Sequence, residues 1–257
     1  MVIDTHAHLH DDKLIDLDAV VSRYLANGVE KVINMGCCLK TSEIGRDLSE
    51  KYSSVYFAAG YHPSDANDFN NENLDKIKAL LLDEKCVAVG EIGLDYYWQP
   101  FDKDKQIDCF ITQLEVAKEF KLPVSIHSRE ATGDMMKILK EHKNLLEYSG
   151  VMHCFSGSVE TAKELLDLGL YISFAGPLTF KNSVKAKEVA KYVPLDRCLT
   201  ETDCPYLAPH PLRGTVNEPK NVVITTEFLA DIKEMPMQDF SKIVYDNAIR
   251  LFYKLAK

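Results

Sequence analysis

Short apolar, β-branched runs alternate with helix-patterned segments along almost the whole chain, and this alternation limits the accessible folds more than any other feature. The runs are VIDTH (2–6), KVINMG (31–36), VYFAAGYH (55–62), VAVGEI (87–92), PVSIH (123–127), GVMHCF (150–155), LYISF (170–174) and RCLTETD (197–203). Amphipathic stretches lie between them. In DLDAVVSRYLANG (16–28), Leu17, Val20, Val21, Tyr24 and Leu25 share one helical face, and Gly28 is placed to cap the end. In 104–121, Ile107, Phe110, Ile111, Leu114 and Ala117 recur at helical spacing. The segment 158–169 opens with Ser158-x-x-Thr161, a variant of the capping box, and stops at Gly169. Eight strands, each followed by helix-forming sequence, are the pattern of an α/β protein of the (β/α)8 TIM barrel type. A doubly wound sheet is the competing topology, because periodicity alone does not close a barrel. No Pro-, Gly- or Ser-rich linker divides the chain, so 1–257 reads as a single domain, with helices near 220–232 and 238–256 at its end.

Composition removes other classes. With 46% hydrophobic residues and a net charge of -9, the chain is too apolar for a disordered protein. No apolar stretch approaches the roughly 20 residues that span a bilayer. The opening MVIDTHAHLHDD has neither the basic nor the apolar region of a signal peptide. Seven cysteines are an odd number, none forms C-x-x-C, and free thiols in a reducing, cytoplasmic setting are expected. The 39 acidic residues against 30 basic ones argue against a protein held on nucleic acid by bulk positive charge.

The chemistry is concentrated at one kind of position. His6 and His8 end the first run, His62 the third, Glu91 the fourth, His127 the fifth, His153 the sixth and Asp203 the eighth. In a parallel barrel every strand C-terminus opens on one face, where active sites of this fold are built. Alternate residues of a strand share a face, so His6 and His8 point the same way, and Glu201 falls beside Asp203. An H-x-H pair alone is weak support for a metal site. Five of the eight histidines together with carboxylates, all at strand ends, point to one. Imidazoles and carboxylates without thiolate suit borderline divalent ions such as Zn, Mn, Co or Ni better than Ca. Six side chains exceed the need of one tetrahedral ion. Two ions sharing Glu91 is the economical arrangement: one on His6, His8, Glu91 and Asp203, the other on Glu91, His127 and His153. Such ions sit roughly 3.5–4 Å apart and can clamp both oxygens of a phosphodiester displacement.

The motifs DTHAHL (4–9), AAGYHPSD (58–65), VGEIGLDYYW (89–98), PVSIHSREA (123–131), GVMHCFSG (150–157), GPLTFKN (176–182), ETDCPYLAP (201–209) and PLRGTVNEP (211–219) span essentially the whole chain. In them the chain resembles the TatD-type metal-dependent deoxyribonucleases of the amidohydrolase superfamily. The resemblance implies a TIM barrel hydrolase with one or two divalent ions (Zn, Mn, Mg, Co or Ni) at His6, His8, Glu91, His127, His153 and Asp203. It also implies DNA as substrate, trimmed from 3′ ends or as single strands, with endonucleolytic cutting in some members. Some relatives are credited with D-aminoacyl-tRNA deacylation, so another ester on the same metals is the alternative. Thr215 and Val216 stand where the family pattern carries Lys-Arg.

Roles follow for the remaining residues. Asp203 is expected to bind metal and orient the attacking water, with Glu201 as a proton relay; the alternative for Glu201 is pairing with a base. His62 has no place among the six ligands and is assigned to a phosphate oxygen or the leaving group. Arg129 suits bidentate phosphate contact, unless it forms a salt bridge near Glu130. Lys181 and Arg213 would follow the nucleic-acid backbone or be solvated surface. Tyr96, Tyr97 and Trp98 are placed to stack an unpaired base, with rim packing as the alternative. Strand parity turns Cys154 and Cys204 away from the axis as buried structural thiols. A monomer is expected, without membrane contact.

Overall fold

A computed structural model describes residues 1–256. Eight strands run β1 (Val2–Ala7), β2 (Val29–Met35), β3 (Val55–Ala59), β4 (Cys86–Asp95), β5 (Val124–Arg129), β6 (Gly150–Met152), β7 (Tyr171–Phe174) and β8 (Cys198–Thr200). They alternate with α1 (Leu17–Ala26), α2 (Leu39–Lys51), α3 (Asn71–Leu81), α4 (Lys103–Phe120), α5 (Thr132–Glu141), α6 (Val159–Asp167), α7 (Val184–Tyr192) and α8 (Val222–Ile232), and α9 (Met237–Leu251) follows. The strands form one eight-stranded sheet in chain order. After β8 the chain returns to β1: Ala7 bridges Cys204 in parallel, the Asp203 N–H donates to the His6 carbonyl at 2.9 Å, and the His8 N–H to the Cys204 carbonyl at 2.7 Å. The architecture is the (β/α)8 barrel, and the doubly wound alternative falls.

Packing groups the chain into two units. The first comprises Met1–Asn34, His153–Leu166 and Tyr171–Arg250; the second comprises Met35–Met152, Asp167–Leu170 and the residues from Leu251 onward. In the first, Tyr24, Ile33, Phe174 and Phe240 are fully buried. In the second, Phe57, Ile77, Ile92 and Phe110 are. Truncating one such phenylalanine to Ala costs about 3–5 kcal/mol. Strands β1, β3 and β4 are buried at every residue, as expected where helices cover a parallel sheet and both of its faces are dry.

The helices start where capping chemistry permits. Asp16 accepts from Ala19 N–H at α1, and Gly28, at φ 79, ends that helix. Ser158 Oγ accepts from Thr161 N–H at α6. One position on the α1 face departs from expectation: Leu25, in the last turn of the helix, is exposed.

The strand ends also differ from the sequence reading. β3, β6 and β8 stop early, so His62, His153 and Asp203 lie in the loops beyond them. His62 instead caps a 3-10 turn, Pro63–Asp68. β4 runs longer, and Glu91 falls inside it. A register shift between Val89 and Ile92 explains how an interior residue is re-aimed. Among the described residues no helix is long and apolar enough to cross a membrane.

Candidate metal centre

In the first unit, β1 and the loops after β6 and β8 carry a compact ligand set. His6 Nε2 lies 3.3 Å from His8 Nε2, and Asp203 Oδ1 is 3.6 Å and 3.2 Å from those two atoms. Two ligands of a tetrahedral ion at about 2.1 Å stand about 3.4 Å apart, so this spacing fits a shared cation. His153 stacks on His6, ring centroids 4.0 Å apart. Its Nδ1 meets Glu201 Oε1 at 3.2 Å, and that oxygen also accepts the Cys154 N–H at 2.7 Å. The other oxygen, Glu201 Oε2, is buried with no hydrogen-bond partner. An orphaned buried carboxylate oxygen is costly unless a cation or proton completes it. Asp203 has φ 56, a left-handed conformation that Asp tolerates better than most residues. Burial opposes its ionisation, but the His8 hydrogen bond and the charges of His6, His8 and His153 outweigh burial and hold it below the usual carboxylate range.

Beneath this set lies Asp4, which is fully buried. Its Oδ1 accepts the Thr202 N–H at 2.9 Å, and its Oδ2 lies 2.5 Å from Thr202 Oγ1. Burial is the main cause that pushes its carboxyl up to about 8, against the lowering effect of those bonds. Asp4 thus fastens the 201–203 turn to β1. Asn217 fastens it from the other side, donating to the Thr202 and Tyr206 carbonyls. Arg23 secures the adjacent Glu218 with two bonds of 2.8 and 3.0 Å.

In the second unit, His127 Nδ1 is 2.9 Å from Glu91 Oε1, and its Nε2 is 3.0 Å from Asp95 Oδ2. His127 therefore stands between two buried carboxylates. Gly93 makes this approach feasible: it pairs with His127 at φ 141, and a Cβ there would lie 2.0 Å from the His127 carbonyl oxygen. His62 Nδ1 accepts the Ser64 N–H at 3.1 Å, which leaves the proton of the neutral ring on Nε2, 3.8 Å from Glu91 Oε1. Burial opposes ionisation of Asp95, but bonds from His127 and from the Tyr97 and Trp98 backbone hold its carboxyl low.

Sequence reasoning passed over Asp95, Asp4 and two glutamines. Gln106 and Gln113 are buried on α4, where the apolar pattern assigns no core role to a polar residue. Gln106 accepts the Asp95 N–H and donates to the Asp95 carbonyl, and Gln113 does the same at Tyr61. A buried amide at helical spacing with the core residues was the available signal.

The expected substrate contacts are dispersed. Arg129 is exposed and has no ion-pair partner among the described residues; its guanidinium lies 3.7 Å over the Tyr97 ring. Arg213 covers Phe180 at 4.5 Å, and the neighbouring Lys181 is exposed. Tyr96 donates its hydroxyl to Asp134 at 2.9 Å and stacks on Phe101, leaving Tyr97 and Trp98 as the exposed rings. Cys204 is buried, and burial pushes its thiol well above the ordinary value. Cys154 is only half-buried. The chain has left β6 there and turns through φ 42, so strand parity no longer applies.

Comparison with known proteins places the chain among metal-dependent hydrolases. The chain is 46% identical over 253 residues to the uncharacterized metal-dependent hydrolase YabD of Bacillus subtilis, covering 98% of this chain and 99% of that one. It is 38% identical over 256 residues to the uncharacterized metal-dependent hydrolase YcfH of Escherichia coli K12, with 98% and 96% covered. The crystal structure of YJJV, a TatD homologue from Escherichia coli K12, superposes with a TM-score of 0.93 at 30% identity, covering 98% of each chain. The model of the TatD related DNase family matches residues 3–253, and the chain belongs to that family of metal-dependent hydrolases.

Proposed function

We propose that the chain, as one catalytic barrel over 1–257, hydrolyses phosphodiester bonds of DNA, acting on single strands and 3′ ends, with endonucleolytic cutting within its chemistry. The observation that carries this reading is the His6–His8–Asp203 set at tetrahedral spacing beside the orphaned Glu201 Oε2. His6, His8, Glu91, His127, His153 and Asp203 would hold one or two divalent ions of the Zn, Mn, Mg, Co or Ni type. When bound, such ions supply Lewis acidity that makes water nucleophilic near neutral pH and offsets the charge of a phosphate.

The chain's own residues do the rest. Glu201 holds the His153 ring by its Nδ1, which leaves Nε2 as the donor atom, and offers Oε2 as a proton acceptor. Asp203 orients the incoming water. His62, with its proton fixed on Nε2, donates to a phosphate oxygen or to the leaving group. Arg129, Lys181 and Arg213 contact the phosphate backbone, and Tyr96, stacked on Phe101, contributes to the aromatic contact with substrate. Seven free cysteines agree with a reducing, cytoplasmic setting, and a monomer suffices for this chemistry.

The second reading is hydrolysis of another ester on the same centre, such as a D-aminoacyl-tRNA or a small phosphoester. It is favoured by Thr215 and the exposed Val216, which give the 211–219 loop no cations at the family's Lys-Arg positions. The test is metal-reconstituted protein on 3′- and 5′-labelled single-stranded oligodeoxynucleotides, with chelator and Asp203→Asn as controls. A metal-dependent ladder shortening from the 3′ end is the expected result. An intact oligonucleotide with stoichiometric metal bound would shift the assignment to the second reading.

A further inference from the structure

Trp98 is the only tryptophan of the chain, and it is 60% exposed. Tyr97 beside it is 44% exposed, and the two rings meet edge to face at 4.8 Å. The Arg129 guanidinium covers one side of this pair, 3.7 Å from the Tyr97 centroid and 5.4 Å from that of Trp98. Two large aromatic rings exposed to water, beside a cation with no carboxylate partner among the described residues, offer a flat surface on which a planar ring can stack.

The aromatic pair is also joined by hydrogen bonds to the metal-capable residues of its unit. Asp95 Oδ1 accepts the Tyr97 N–H at 2.9 Å and the Trp98 N–H at 3.4 Å, while its Oδ2 holds His127. Arg129 lies opposite Asp95 in the β4–β5 ladder, and its carbonyl accepts the Tyr96 N–H. One carboxylate therefore sets both the histidine and the aromatic pair. A cleft of about 100 Å³ opens below, lined by Trp98, Phe101, Pro63, Ser64 and Asn67. Its walls combine flat apolar surface with amide and hydroxyl groups and the Asp95 and Asp102 carboxylates, which offer both an apolar face and hydrogen-bonding edges to a planar heterocycle.

We infer that Tyr97, Trp98 and Arg129 form a stacking subsite for one unpaired nucleobase, with the adjoining phosphate on Arg129. The inference rests on the nuclease reading and adds to it a residue that selects single-stranded substrate. A duplex keeps its bases stacked and offers no free face to Trp98, whereas every unpaired base has one.

The single indole is its own reporter. Metal-loaded protein is titrated with a phosphorothioate oligodeoxynucleotide that resists cleavage, while tryptophan fluorescence is followed. Saturable quenching is expected. Trp98→Ala should raise KM for a cleavable oligonucleotide roughly tenfold, and Trp98→Phe should restore most of that loss. Replacing the stacked base by an abasic spacer should cost the wild type a similar factor and cost Trp98→Ala nothing further, because ring and base act as one pair. If oligonucleotide is cut while fluorescence does not change and Trp98→Ala keeps its KM, the subsite is wrong and the nuclease reading stands. If no oligonucleotide is cut or bound by protein carrying metal, the nuclease reading falls and the subsite falls with it.

Discussion

The two units of the chain carry metal-capable residues in contrasting ways. In the first, His6, His8, His153 and Glu201 are buried, Asp203 alone is partly open, and the turn that presents it is tied by Asp4, Asn217 and backbone bonds. In the second, the carboxylates Glu91 and Asp95 are buried, but His62 and His127 remain partly open to solvent, and Asp95 also supports exposed aromatic residues. The first arrangement is a fixed cage, its turn held from two sides by the buried Asp4 and Asn217. The second couples ligand placement to a surface that a substrate reaches. Rigidity and access are thus divided between different residues, and each can be broken separately.

The largest effect is expected in the cage. Asp203→Asn keeps a residue type that tolerates φ 56, so the fold should be retained by circular dichroism while turnover falls by roughly 10³-fold or more. Retained turnover would mean that the cage is not the catalytic centre. Next comes Asp95→Ala in the open half, which removes the partner of His127 Nε2. Metal affinity, read by competition with a chromophoric chelator, should drop about 10–100-fold. An unchanged affinity would show that Asp95 orients nothing.

A smaller effect tests the support beneath the cage. The Asp4 carboxyl rises from 3.8 to about 8 on folding, so the folded state holds the proton more tightly. Its contribution to stability is complete below about pH 4 and is lost as pH rises through 8, at up to about 1.4 kcal/mol per pH unit. Asn reproduces the protonated acid: its oxygen can accept the Thr202 N–H and its amide can donate to Thr202 Oγ1. Asp4→Asn should therefore unfold in urea with a flatter pH dependence than the wild type between pH 4 and 8. Parallel profiles for the two proteins would contradict the assignment. The smallest effect is at Cys154, whose backbone N–H serves Glu201 and is kept when the side chain is shortened. Cys154→Ala should turn over near the wild-type rate, and a large loss would move chemistry onto the sulfur.

Much of this was legible without coordinates, for identifiable reasons. Buried parallel strands read as apolar runs, so the eight strands stood out, and the two-residue period placed His6 beside His8. Residues outside a regular period were harder to place. Glu91 reaches the site through a register shift, and Cys154 departs from strand parity because it lies past the end of β6 and is itself left-handed. Asp4, Asn217, Gln106 and Gln113 act by binding backbone groups of distant loops. Such bonds leave no periodic trace, since the partner is a peptide group that any residue carries. Side-chain type announced the ligands, whereas their supports were visible only as polar residues in buried places.

Helix α4 holds Tyr61 with Gln113 and Asp95 with Gln106, two turns apart on the same rod. The residues between Asp95 and α4 therefore branch from a base that is already secured. Their tip can be rewritten by insertion, deletion or exchange of rings while His62 and His127 keep their stations. Placement of the ligand and contact with the substrate are thereby carried by different bonds: the amide clamps of one helix hold the base of the segment, and the rings at its tip stand in solvent.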